Sequence, residues 1–263
     1  MGKALITGAS AGIGKVYAEK LARQGHGLVL VARDTARLEA LAQTLARETG
    51  IKAEVLTADL SLADDVAKVE RKLESDPALD IFINNAGIAT MGPQLETPVA
   101  AIEKLIAVNV TAATRLALAA GRAFASRGRG SIVNMASAVS INPERFNAVY
   151  SGSKGFVLTL TRALQRELNE KGVKIQVVLP GITKTEIWER SGRDPSTLNP
   201  DWAMETEELV DAALAGLEKG ELVTIPSLPD AQDLADYEVA RRKLFPNLSW
   251  KHAAERYGVP RAK

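Results

Sequence analysis

Seven short apolar runs, spaced by longer amphipathic ones, leave this 263-residue chain very few folds. The runs Lys3–Thr7, Gly27–Ala32, Ala53–Thr57, Leu79–Asn84, Gly130–Met135, Val173–Leu179 and Leu222–Ile225 predict strands. Helical periodicity fills about 12–24, 34–48, 62–74, 99–127, 150–171 and 205–218 between them. Such alternation gives βαβ units with right-handed crossovers and a parallel sheet covered by helices on both faces. Leu28-Val29-Leu30-Val31 and Ile175-Gln176-Val177-Val178-Leu179 are almost continuously apolar, as strands buried on both faces must be. The expected class is α/β, a doubly wound parallel seven-stranded sheet in a single domain, 1–226, followed by a C-terminal extension, 227–263.

In such sheets ligands bind beyond the carboxyl ends of the strands. The first of these positions holds Thr7-Gly8-Ala9-Ser10-Ala11-Gly12-Ile13-Gly14, between a strand and a helix. Its glycines allow a tight turn and bring the backbone amides of a helix N-terminus close to a pyrophosphate. The second strand ends in Ala32-Arg33-Asp34. Arg33 there suits a 2′-phosphate, favouring NADP(H) over NAD(H). Two other readings stay open: Asp34 takes a ribose hydroxyl, or it caps the next helix beside a solvated Arg33. Asp59-Leu60 and Asn84-Asn85-Ala86-Gly87 close the third and fourth strands, and Ser137 follows the fifth. Asn109 lies in the apolar helical run 99–127, where a buried amide must find partners.

Tyr150 and Lys154 are four residues apart, so a helix puts them on one face. An ammonium beside a phenol stabilises the phenolate and makes general acid–base catalysis possible near neutrality. Taken alone, the pair also fits a half-buried Tyr with a solvated Lys.

Composition removes several function classes. With 33 basic and 32 acidic side chains, the net charge of +1 gives no electrostatic case for nucleic acid or membrane binding. There is no cysteine, and His26 and His252 have no metal-ligand spacing, so no metal is expected. No apolar run approaches the roughly 18 residues of a membrane span. The start of the chain lacks a signal-peptide pattern, and Ile6 stands where N-myristoylation requires Ser or Thr, so a cytoplasmic protein is expected.

Taken in order, these pieces resemble the short-chain dehydrogenase/reductase family over about residues 3–226: the glycine turn, Asp59-Leu60, Asn84-Asn85-Ala86-Gly87, Asn109, Ser137, Tyr150-x-x-x-Lys154, and Pro180-Gly181 with Thr185. The resemblance implies a Rossmann-type fold and an NADP(H)-dependent oxidoreductase that interconverts a carbonyl and an alcohol by hydride transfer. It makes Tyr150 the general acid/base, with Lys154 lowering its pKa and holding the nicotinamide ribose. Ser137 would hold the substrate oxygen, and Asn109 a water behind Lys154. It lines the cofactor with Gly8, Ser10, Gly12, Ile13, Gly14, Arg33, Asp59, Leu60, Asn85, Ala86, Gly87, Tyr150, Lys154, Pro180, Ile182 and Thr185. It also implies a homodimer or homotetramer built on 99–127 and 150–171, whose small residues Ala112, Ala113, Ala117, Ala119 and Ala120 permit close helix approach.

Substrate selection is expected after the sixth strand, from Ile187, Trp188, Trp202 and Met204, with Asn142, Phe146 and Met91 bordering. Arg145, Lys184, Arg190 and Arg193 are scattered and mark no anionic carrier site, which favours a small or medium apolar ketone, aldehyde or alcohol. A 3-oxoacyl-thioester reductase of the same family, or a non-catalytic dinucleotide sensor, are the alternatives. Gly152 departs from the family's usual Ala and suggests close packing or room for substrate. In the tail, about 230–244 reads as a charged helix that covers the active site, a neighbouring subunit, or only its own.

Overall fold

The computed structural model describes residues 2–90, 92–192, 194–197 and 199–260. Met91 and Arg193 lie outside the described residues, as do the side chains of Arg145 and Arg190. Seven strands form one all-parallel sheet in the order β3-β2-β1-β4-β5-β6-β7. They are β1 (Lys3–Thr7), β2 (Gly27–Ala32), β3 (Ala53–Thr57), β4 (Leu79–Asn84), β5 (Gly130–Met135), β6 (Val173–Val178) and β7 (Val223–Thr224). Around them run α1 (Gly12–Arg23), α2 (Thr35–Thr49), α3 (Ala63–Ser75), α4 (Val99–Ile106), α5 (Ala113–Arg127), α6 (Ala148–Asn169), α7 (Ile187–Arg190) and α8 (Thr206–Glu218).

The unbroken apolar runs divide by parity. Leu28 and Leu30 of β2 pack with Val16, Leu21 and Leu38 on one face, while Val29 and Val31 pack with Val66, Val69 and Leu116 on the other. β1 lies between β2 and β4, so the chain leaves it in opposite directions and opens a crevice beyond its carboxyl end. Asn84 and Asn134 pin the neighbouring strands from within. Asn84 donates to the Ala113 carbonyl and to Asn134 Oδ1, both at 2.9 Å, and Asn134 donates to Thr161 Oγ1 at 2.9 Å.

Two expectations about the elements change. β6 stops at Val178, before Leu179-Pro180, and β7 keeps only Val223–Thr224 against it, because only Val177 and Val178 find partners in register. The long helix 99–127 is three pieces: α4, a π-helical turn Ala107–Ala112 centred on Asn109, and α5. The alanines assigned to helix–helix association are consumed at home. Ala112, Ala113, Ala117, Ala119 and Ala120 are all buried in the chain's own core, and Leu118 and Phe156 are the exposed large apolar residues of α5 and α6.

The chain divides into two compact units, the second being Leu228–Lys263. Within it, α9 (Ala231–Lys243) is capped by Asp230, which accepts from Gln232 N at 2.8 Å. Basic Arg241, Arg242 and Lys243 fill its last turn, as the helix dipole favours, and none of its residues is buried.

Candidate active site

α6 begins at Ala148, two residues before the expected start, because Asn147 caps it by accepting from Val149 N and Tyr150 N at 3.1 and 3.2 Å. This delivers Tyr150 and Lys154 to the carboxyl edge of the sheet. Lys154 is 5% exposed and donates to the Met135 carbonyl at 2.9 Å, at the end of β5. Its ammonium lies 5.8 Å from the Tyr150 ring centre. Ser137, on the turn after β5, stands close enough to Tyr150 for its hydroxyl to favour the phenolate, and its Oγ donates to the Pro180 carbonyl at 3.4 Å. Burial pushes the Lys154 pKa down to about 8. Burial also pushes the Tyr150 phenol up to about 12, against a smaller lowering by Ser137. The sequence had suggested a phenol lowered by its lysine; in the protein alone, the cost of enclosing a phenolate outweighs that. At neutral pH the pair is therefore a phenol beside an ammonium.

The π turn turns the Asn109 side chain into a staple. Asn109 is 1% exposed; its Oδ1 accepts from Ile88 N, and its Nδ2 donates to the Ile88 carbonyl, both at 2.9 Å. The same Nδ2 donates to Ser153 Oγ at 3.1 Å, and Ser153 donates to the Tyr150 carbonyl at 2.7 Å. Asn109 thus joins the segment after β4 to the second turn of α6. A methyl at Gly87 would lie 3.1 Å from the Lys154 ammonium and 3.4 Å from Asn109 Oδ1, so these three groups are in contact range.

Across the crevice, the glycine turn takes the shape its sequence allows. Gly8 and Gly12 have φ of 68° and 51°, left-handed values that favour glycine. A Cβ at Gly14 would come within 2.3 Å of the Gly8 carbonyl oxygen, a clash that excludes any other residue there. α1 starts without a side-chain cap at Ala11 and without an acidic residue in its first turn, so no side chain of its own competes for its first amides. Thr7 Oγ1 accepts from Asn85 N and Ala86 N, each at 3.0 Å, and Asn85 Nδ2 donates to the Thr7 carbonyl at 2.9 Å. The Asn85 Nδ2 therefore helps to shape the turn.

At the end of β2, Arg33 is exposed, with Asp59 3.9 Å from its guanidinium. Asp34 caps α2, accepting from Arg37 N at 3.0 Å, and pairs with the Arg37 side chain at 3.5 Å. Asp34 thus takes the capping role that the sequence had left open. Asp59 accepts from Ser61 N and Oγ at 2.9 and 2.7 Å. Burial pushes its pKa up, but those bonds and the charges of Arg33 and Lys104 hold it below the usual carboxylate range. Leu60 is buried in the core, which leaves only its backbone to face the crevice.

After β6, the buried Pro180 offers its carbonyl to Ala138 N at 2.8 Å. The Ile182 carbonyl accepts from Met204 N at 2.9 Å, and Thr185 lies 3.3 Å from where a Gly12 methyl would be. Ser10, Ala86, Ile182 and Thr185 stand on loops at this same carboxyl edge, and Ile13 lies in the first turn of α1. Of the expected substrate residues, Phe146 and Trp188 come together beside Tyr150. Trp202 is 63% exposed, Asn142 is exposed, Met204 packs on the core, and Lys184 pairs with Glu205 at the start of α8. Sequence reasoning missed Ser153, although its place three residues after Tyr150 put it on the same helical face. It also missed the enclosed, unpartnered Thr90 Oγ1, Gln94 Nε2, Ser140 Oγ and Asn147 Nδ2 on the segments framing α6. Among the described residues, no His, Asp or Glu group is arranged to hold a metal ion, and no helix is long and apolar enough to cross a membrane.

Residues 2–196 match the profile of the short chain dehydrogenase family. A short-chain dehydrogenase from Sphingobium yanoikuyae, solved in complex with NADPH, superposes with a TM-score of 0.95 and is 47% identical, covering 98% of this chain and 100% of that one. A bulky-bulky ketone specific alcohol dehydrogenase from Comamonas testosteroni is 44% identical with a TM-score of 0.90, covering 98% of each chain. The 17-beta-hydroxysteroid dehydrogenase type 3 of Rattus norvegicus is 32% identical over 184 residues, 69% of this chain. The match spans 60% of that relative's length.

Proposed function

The chain belongs to the short-chain dehydrogenase family of oxidoreductases, and from that premise we propose that it reduces ketones with NADPH, using Tyr150 as the proton donor. The observation that carries this reading is the convergence of Tyr150, Ser137 and Lys154 beside an uncapped helix N-terminus. The crevice suits a dinucleotide. The amides opening α1 face the place of a pyrophosphate, Arg33 is exposed with Asp59 3.9 Å away, and Asp34 caps α2. The NADPH bound to the Sphingobium relative supports NADP(H), and the Comamonas relative supports ketones as the substrate class. When bound, the reduced nicotinamide supplies the hydride.

The chain's own residues do the rest. Ser137 holds the carbonyl oxygen next to the Tyr150 hydroxyl, and Tyr150 gives its proton as that oxygen gains charge. A phenol that stays protonated at neutral pH is ready to act as the acid, which favours reduction. Oxidation needs the phenolate and is favoured at alkaline pH. Lys154 offers positive charge to the oxygen pair, and Asn109 with Ser153 fixes the turn that carries them. Gly8, Ser10, Gly12, Ile13, Gly14, Asp59, the Leu60 backbone, Ala86, Gly87, Pro180, Ile182 and Thr185 line the remaining crevice. We also propose a cytoplasmic homodimer or homotetramer, joined through α5 and α6 where Leu118 and Phe156 are exposed.

Tyr150→Phe tests the assignment. Turnover with NADPH and a ketone should fall at least about 10²-fold while the NADPH dissociation constant stays within about twofold. Retained turnover overturns the role given to Tyr150.

A further inference from the structure

The Phe146 ring centre lies 5.0 Å from that of Tyr150, tilted by 59°, and 6.3 Å from that of Trp188, at 73°. Phe146 sits in extended backbone between a short 3₁₀ turn and the cap of α6, with its amide donating to the Pro143 carbonyl at 3.2 Å. Trp188 reaches the same spot from α7, and its indole N–H is already donated to the Thr183 carbonyl at 2.8 Å. With its one donor used, the indole presents only carbon faces and edges. Both side chains are part-buried.

Two nearly perpendicular rings make a corner. A flat ring entering it stacks offset on one wall and meets the other edge-on, the two arrangements aromatic pairs prefer. Tyr150 fixes where the reacting carbonyl sits, within roughly 3 Å of its hydroxyl. Phe146, whose ring centre is 5.0 Å from that of Tyr150, is then a neighbour for a substituent on the carbonyl carbon.

Building on the reductase reading above, we propose that Phe146 and Trp188 form an aromatic corner that selects ketones bearing an aryl group directly on the carbonyl carbon. A saturated ring of similar size fills the same space but is puckered and has no quadrupole, so it gains the burial without the ring–ring attraction. One aromatic contact adds about two- to tenfold beyond burial, so two contacts give a preference of about fivefold or more.

The test compares kcat/KM with NADPH for ethyl phenyl ketone, ethyl cyclohexyl ketone and cyclohexanone, in wild type, Phe146→Leu, Phe146→Tyr and Trp188→Phe. Wild type should prefer the phenyl ketone to its cyclohexyl counterpart at least fivefold. Phe146→Leu should bring that ratio to about one. The two ring-retaining variants should keep the preference. Equal rates for the phenyl and cyclohexyl ketones in wild type, or a Phe146→Leu variant that slows both alike, overturns the inference and leaves the reductase reading standing. If wild type reduces none of the three, the reductase reading fails and this inference fails with it.

Discussion

Replacing Lys154 with methionine should make the ligand-free protein more stable while removing its activity. The ammonium is 5% exposed, and the one protein acceptor assigned to it is the Met135 carbonyl at 2.9 Å. Burial lowers its pKa from 10.5 to about 8. A lowering of that size holds about 3 kcal/mol against the charged form in the folded state. Methionine keeps most of the length and packing of the stem but leaves the Met135 carbonyl without its donor, a loss of about 1–2 kcal/mol. The net gain is then about 1–2 kcal/mol near pH 7, or roughly 2–8 °C in melting temperature for a chain of this size. The sign with pH is fixed. Because the folded pKa lies below the unfolded one, wild type bears the full cost below about pH 8. That cost fades as pH rises toward 10.5 and is gone when both states are neutral. Urea unfolding of both proteins at pH 7, 8.5 and 10, followed by tryptophan fluorescence, should show the variant's advantage shrinking along that series. A variant less stable than wild type at pH 7, or an advantage that ignores pH, refutes the reasoning that burial governs this lysine.

Two further substitutions probe the scaffold. Gly152→Ala places a methyl where no heavy atom lies within 4 Å, so the close packing suggested by the sequence is absent; removing helical glycine should add about 0.5–1 kcal/mol with turnover within twofold. A loss of stability in denaturant titration would mean that the site is covered in the assembled protein. Tyr17 is fully buried in α1, its hydroxyl has no partner among the described residues, and burial raises its pKa. Tyr17→Phe should therefore be neutral or stabilising by up to about 2 kcal/mol in the same titration, and a clear destabilisation would reveal a partner for that hydroxyl.

The sheet was legible because burial on both faces writes itself into sequence as continuous apolar runs, and six of the seven strands begin or end where those runs do. What periodicity could not report was the π turn at Asn109. The apolar spacing of 99–127 passes through it without a break, and only the buried amide hinted that the backbone yields there. The same blindness produced the error about the alanines of α5. Small residues permit close approach, but their pattern does not say whether the approaching element belongs to the same chain or another. At the site, placements that depend on one helical spacing or one strand end, such as those of Tyr150, Lys154 and Arg33, could be read from the sequence. Roles that depend on two distant segments meeting escaped notice. The staple from Ile88 through Asn109 to Ser153 is one such case, whereas the capping of α2 by Asp34, three residues before Arg37, was among the readings the sequence left open. The Tyr150 pKa also needed three dimensions, because pairing is visible in sequence whereas enclosure is not.

The most direct test of the account is the affinity of the crevice for its cofactor, measured by calorimetry with NADPH and NADH for wild type and Arg33→Ala. If Arg33 receives the 2′-phosphate, wild type binds NADPH about 10- to 100-fold more tightly than NADH, and the substitution erases that difference while barely changing NADH. Equal affinities in wild type, or a preference for NADPH that survives Arg33→Ala, would contradict it.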